Sequence, residues 1–194
     1  KVITATNTWA HLANQEEAAG AVAALLAPDG TLILQVPWVR DLFAYSEYDT
    51  IYHEHLSYLS LTPVVRFAKR FKFTVFAVEE SIIHGGSFRV YMGRGARKID
   101  TSVKKMLANE KRNKFNTLPL LQRFAKRVEK NREELMAIVE KLLADGKRVV
   151  AVSAPAKGMT LLNYGGFTRR HLAFVTEKSK LKIGRYTPGA YIPI

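Results

Sequence analysis

The opening of the chain alternates between two periods. Residues 2–9, VITATNTW, mix beta-branched with small residues and predict a strand. NQEEAAGAVAALLA (14–27) then shifts to helical spacing, with Asn14 as cap and Glu16 and Glu17 in the first turn. Pro28, Asp29 and Gly30 stop that helix. TLILQVP (31–37) follows as a buried strand that Pro37 ends. Strand, helix, turn and strand make an alpha/beta crossover unit.

Further along, TPVVRFAKRF (62–71) reads as a helix with Thr62 as cap and Pro63 in its first turn. FTVFAVEES and SFRVYMGR read as two more strands, and His84-Gly85-Gly86 between them permits a left-handed path. Residues 100–145 read as helix with a break near NKFNTLP. Its second piece puts Leu121, Phe124, Val128, Leu135, Ile138, Val139 and Leu142 near one stripe, and Gly146 ends it. RVVAVSAPAKG then reads as a strand entering a helix, and HLAFVTE as a last strand before a turn-rich tail with a bend at Pro188-Gly189. The switch from strands to helix near residues 95–115, where charge also rises, marks the best boundary.

Composition narrows the class. The 194 residues are 47% hydrophobic and 24% charged, a globular balance. No window approaches the roughly 18 apolar residues of a membrane span. There is no cysteine, which excludes disulfides, thiolate zinc and a cysteine nucleophile and fits a cytoplasmic protein. The chain begins at Lys1, directly in a strand-like segment, and is expected to continue a longer protein. Thirty Lys and Arg against 17 Asp and Glu give +13, much of it between Arg94 and Arg148. Such charge favours anionic partners, nucleic acid among them, or is a solvated helix face. No zinc finger, RNA-recognition signature or convincing helix-turn-helix accompanies it.

Chemistry concentrates in YDTIYHEHLSYLSL (48–61). Histidine suits proton abstraction near neutrality, tyrosine can donate to an oxyanion, and glutamate can orient an imidazole. Extended, Tyr52 and Glu54 would face one side and His53 and His55 the other, so convergence needs a bend. The HxH spacing also suits a metal, but no third ligand is well placed. On the residues alone, a catalytic cluster and a polar loop remain equal readings. SAPAKG (153–158) is a strand-to-helix turn whose amides and Lys157 suit a phosphate, or else a plain helix start. It is neither a Walker loop nor a GxGxxG turn. GRGARK (93–98) reads as a basic turn. His11 lies two residues past a strand end, where alpha/beta sheets present ligand-contacting groups.

Four segments occur together and in order: DTIYHEHLSYLSL, HGGSFRVYM, APAKGMTLLNY and KIGRYTPGAYIPI. Their order and spacing resemble the S-adenosylmethionine-dependent nucleotide-sugar C-methyltransferases, across nearly the whole chain. The resemblance implies that residues 1–95 are the second half of a class I methyltransferase domain, with its fourth to seventh strands. It implies a linker or helix over 96–115 and a C-terminal Rossmann-like alpha/beta domain over 116–194. The cysteine-rich module and the glycine turn that holds S-adenosylmethionine are then expected upstream or in a partner chain.

The implied reaction methylates a carbon alpha to the keto group of a nucleotide-linked deoxysugar, through an enolate and in-line transfer. His55 or His11 is implied as the base, and Tyr52 and Glu54 in positioning and catalysis. Thr6 and Asn7 are implied at the cofactor. Ala154, Lys157, Gly158, His84 and Arg185, with Tyr186 nearby, are implied at the nucleotide sugar. Ser153, the TEKSK run (176–180) and Ala190-Tyr191 depart from the family pattern, so the identity of the nucleotide stays open. The rival reading is a non-catalytic module that binds a nucleotide sugar or another anion.

Overall fold

A computed structural model describes residues 1–115 and 117–194, in two compact units. The first comprises residues 1–47 and 53–121, the second residues 48–52 and 122–194.

The first unit is built on a four-stranded sheet in the order β1-β2-β4-β3. Strand β1 (Val2–Thr6) runs parallel to β2 (Thr31–Pro37), and helix α1 (Gln15–Leu25) connects them. This is the expected crossover, though the first strand stops at Thr6 and a 3-10 turn, Trp9–His11, follows it. Asn14 caps α1 as expected, accepting a hydrogen bond from the Glu17 amide at 3.1 Å. After Pro37 the chain does not enter a plain loop. It forms α2 (Val39–Tyr45), a helix that sequence reading missed because seven residues carry too little periodicity.

Strands β3 (Phe73–Ser81) and β4 (Ser87–Arg94) form an antiparallel hairpin whose β4 pairs with β2. The β2–β4 register aligns buried side chains: Leu32 opposite Met92, Leu34 opposite Val90, Val36 opposite Phe88. Those pairs form the core with Trp9, Trp38, Leu61, Val64 and Ala68. The hairpin turn shows why HGG is needed. His84 has φ 56° and Gly86 φ 137°. A Cβ on Gly86 would come within 2.1 Å of Asp41 Oδ2, so only glycine fits there.

Helix α3 (Leu61–Arg70) starts one residue before the expected Thr62 cap. Ser60 holds the cap position without a side-chain hydrogen bond, and the free amides are met from elsewhere. The carboxylate of Glu110, on α4 (Thr101–Asn113), accepts from the Leu61 amide at 2.5 Å and the Thr62 amide at 2.8 Å. It also accepts from Thr62 Oγ1 at 2.6 Å and Trp38 Nε1 at 3.2 Å. Glu110 is buried, and four donors satisfy it. Val103 and Met106 of α4 join the same core.

Helix α5 (Leu118–Ala144), in the second unit from Gln122 onward, is the long helix expected after the break, and Gly146 follows it at φ 70°. Its apolar stripe is narrower than expected. Val128 and Val139 are buried, whereas Leu121, Ile138 and Leu142 are exposed. The two predicted strands shorten to a parallel pair, β5 (Ala151–Val152) and β6 (Val175–Thr176). Helix α6 (Ala156–Gly165) starts where SAPAKG predicted. Val139, Ala154, Leu162, Phe167, Leu172, Val175 and Ile192 form the core of this unit. The tail folds on itself through buried Thr187, whose hydroxyl accepts from the Ile192 amide at 2.9 Å. The fold class is thus alpha/beta, with a helical segment and a small second alpha/beta region. No helix among the described residues is long and apolar enough to cross a membrane.

Candidate active site

The histidine-rich segment is not extended. It turns at His53 and Glu54, which supplies the bend that convergence requires. His55 meets His11 with ring centroids 4.9 Å apart and planes at 65°, an edge-to-face contact. Tyr58 approaches His55 at 6.3 Å, also edge-on. Both imidazoles are half-buried.

His11 gets there locally, at the end of the 3-10 turn that follows β1. His55, unlike His11, does not follow directly on a strand. Helix α2 and a 3-10 turn, Tyr48–Thr50, separate it from β2. Long-range hydrogen bonds hold it instead. The Leu56 amide donates to the Ala10 carbonyl at 2.9 Å. Gln15 Nε2 donates to Ser57 Oγ at 2.9 Å and to the Trp9 carbonyl at 3.2 Å, tying both histidine segments to α1. Gln15 and Tyr58 were not singled out in the sequence. Tyr58 was legible as part of the same aromatic run; nothing local marks Gln15.

The other predicted residues fall elsewhere. Glu54 is exposed and lies 3.8 Å from Nε2 of the exposed His53. Tyr52 belongs to the second unit with residues 48–51. Within that unit Tyr48 packs edge-on against Tyr164 at 5.4 Å, and its hydroxyl bonds Asn131 Oδ1 at 3.2 Å. His84 is exposed in the β3–β4 turn, beside Gly85 and Gly86, which abut Glu47 and Asp41.

Thr6 and Asn7 lie at the carboxyl end of β1, where parallel strands present ligand-contacting groups. Asn7 takes a left-handed backbone, φ 52°, and its amide donates to the Gln35 carbonyl at 2.8 Å. Its Oδ1 is buried and has no hydrogen-bond partner among the described residues. Such an acceptor is rare unless something else satisfies it.

In the second unit, Ala154 and Ser153 do not present free amides. The Ala154 amide donates to Glu177 Oε2 at 3.2 Å and the Ser153 amide to Thr176 Oγ1 at 3.2 Å. Glu177 also accepts from the Lys178 amide at 2.8 Å, the Ser179 amide at 3.2 Å and Lys182 Nζ at 3.3 Å. The Ser179 and Lys178 amides, then Lys182 and Ala154, hold its carboxyl down to about 2. An internal carboxylate therefore occupies the Ala154 amide at the entry to the turn, ahead of the helix-start amides that the sequence suggested for a phosphate. The amides of Ala156, Lys157 and Gly158, in the first turn of α6, have no intrahelical partner. Lys157 and Gly158 are half-buried there, and Arg185 is exposed in the tail.

The sign of the Glu177 contribution follows. Its folded value lies below the ordinary 4.5, so its stabilisation is complete above that pH and vanishes as pH falls through about 2. Glu177→Gln is expected to flatten the pH dependence of the melting temperature between those two values. An unchanged acid limb in the variant would show that these hydrogen bonds contribute nothing.

The comparisons agree with this architecture. A family model described as "Methyltransferase domain" matches residues 1–78, and one described as "C-methyltransferase C-terminal domain" matches residues 82–194. The curated protein C-methyltransferase NovU of Streptomyces niveus is 33% identical over 196 aligned residues. The alignment takes in 100% of this chain and 47% of that relative, so the chain spans about half the relative's length. With more than half of its residues matched by the C-terminal domain model, the chain belongs to the C-methyltransferase family.

Proposed function

We propose that this chain supplies the base and the substrate-handling half of an S-adenosylmethionine-dependent enzyme that methylates carbon alpha to the keto group of a nucleotide-linked deoxysugar. The observation that carries the reading is the edge-to-face pair of His11 and His55 beside the carboxyl end of β1. A proton alpha to a ketone is weakly acidic. One imidazole takes it, the C–H electron pair becomes the carbon–carbon π bond, the carbonyl π pair moves onto the oxygen, and an enolate forms. The companion ring, with Tyr58 at its edge, fixes the orientation of the first. Glu54 and Tyr52 keep positioning roles by resemblance only.

The residues present fit part of a site for S-adenosylmethionine. Asn7 Oδ1 is the acceptor in need of a donor, and Thr6 lies beside it. When bound, that cofactor supplies an electrophilic methyl group on a sulfonium sulfur. The first glycine of the chain, Gly20, is inside α1 and offers no strand-to-helix turn to the cofactor. For the substrate, Lys157, Gly158 and the open amides of α6 are the candidates for the diphosphate, with Arg185 as a further contact; His84, in the first unit, keeps a substrate role by resemblance only. The cofactor half in residues 1–95 and the nucleotide sugar in residues 116–194 complete the division of labour, in a cytoplasmic protein.

The test isolates proton abstraction. In heavy water, the full-length protein is expected to exchange the proton alpha to the ketone of its substrate, read by NMR, without methyl transfer. Exchange at the wild-type rate in a His11→Ala, His55→Ala double variant would remove the base assignment.

A further inference from the structure

Folded interiors leave few voids larger than a water molecule. The first unit nevertheless holds an apolar cavity of about 340 Å³ between α1, α3 and the sheet. Trp9, Leu34, Phe67, Phe71, Phe73 and Met92 are among its walls. That size falls within the range of small-molecule sites.

The walls change character at one end. Arg66 and Pro63 line this cavity and also a second one, of about 590 Å³, between the start of α3 and α4. The second is polar and carries Arg66, Lys111 and Lys114. None of these three cations has an ion-pair partner among the described residues. The one carboxylate there, Glu110, already accepts four hydrogen bonds and cannot serve them as a free anion. At the other guanidinium on the apolar rim, Arg70 is paired with Glu16 at 2.7 Å. Three cations thus share one carboxylate on the Arg66 side, which leaves a net positive charge there.

We propose that the paired cavities bind a single-chain amphiphile with a phosphate head. The alkyl chain lies among Trp9, Phe67, Phe71 and Phe73, and the phosphate lies at Arg66 with Lys111 and Lys114. Three cations around one small volume suit a dianionic head better than a single carboxylate. The cavities border the histidine pair, since Trp9 and Gln15 line the first and Tyr58 the second, but the proposal does not rest on the methyl-transfer reading. A failure of either one leaves the other standing.

Isothermal titration of this chain with butyl, hexyl and octyl phosphate tests it. Affinity is expected to rise by about threefold to fourfold per methylene as the chain is buried. Octyltrimethylammonium is expected not to bind, and octanoate to bind more weakly than octyl phosphate. Arg66 is exposed, so Arg66→Ala folds, as circular dichroism would verify, and is expected to weaken octyl phosphate about tenfold. A flat chain-length series, no saturable binding, equal binding of the ammonium amphiphile or of octanoate, or an unchanged Arg66→Ala variant would each overturn it.

Discussion

Replacing His55 with alanine is expected to lower methyl transfer by the full-length protein roughly 100- to 10,000-fold, the range for losing a positioned acid–base group. The imidazole is half-buried, and the neighbouring Leu56 amide still anchors the segment to Ala10, so the fold should survive. Circular dichroism and the melting temperature should match wild type. Turnover that persists in a folded His55→Ala variant would remove His55 from the reaction. The effect is large because the ring contact is narrow. His55 reaches His11 because Gln15 and Leu56 fix the loop against the 3-10 turn.

Glu110→Ala is expected to destabilise the first unit by about 3–4 kcal/mol, measured by urea unfolding. The substitution strands two backbone amides at the start of α3 and the indole N–H of Trp38, all of which the carboxylate now satisfies. Trp38 is 1% exposed, so water cannot take over as partner without opening the core. Glu110→Gln should lose less. It keeps one acceptor oxygen but turns an N–H2 group toward a donor. A loss below about 1 kcal/mol in Glu110→Ala would show that the network is incidental.

These two residues stand at opposite ends of what sequence reading can reach. His55 was visible because it sits in a dense run of proton-transferring side chains. Glu110 was invisible. It looks like one more charge on a lysine-rich helix, and only its contacts with α3 and Trp38, far away in the chain, make it a buried cap. The same difference explains the misplaced Thr62 cap. Sequence reading looked for a cap within one turn, whereas the acceptor comes from another helix. It also applies to SAPAKG: the turn was recognised, but not that Glu177, in the strand-exit segment beyond β6, takes the Ala154 amide.

The sequence by itself determined the strands, the main helices and the alpha/beta class, because side-chain period, caps and glycine stops act over a few residues. It also determined the family resemblance, through four short segments in order. Only the tertiary structure decided that His11 and His55 touch, that Asn7 holds a buried acceptor without a partner, and that Glu177 takes the Ala154 amide. Each of these depends on groups brought together by sheet register and loop anchoring, and no local rule of spacing encodes the distance between segments that are far apart in the chain.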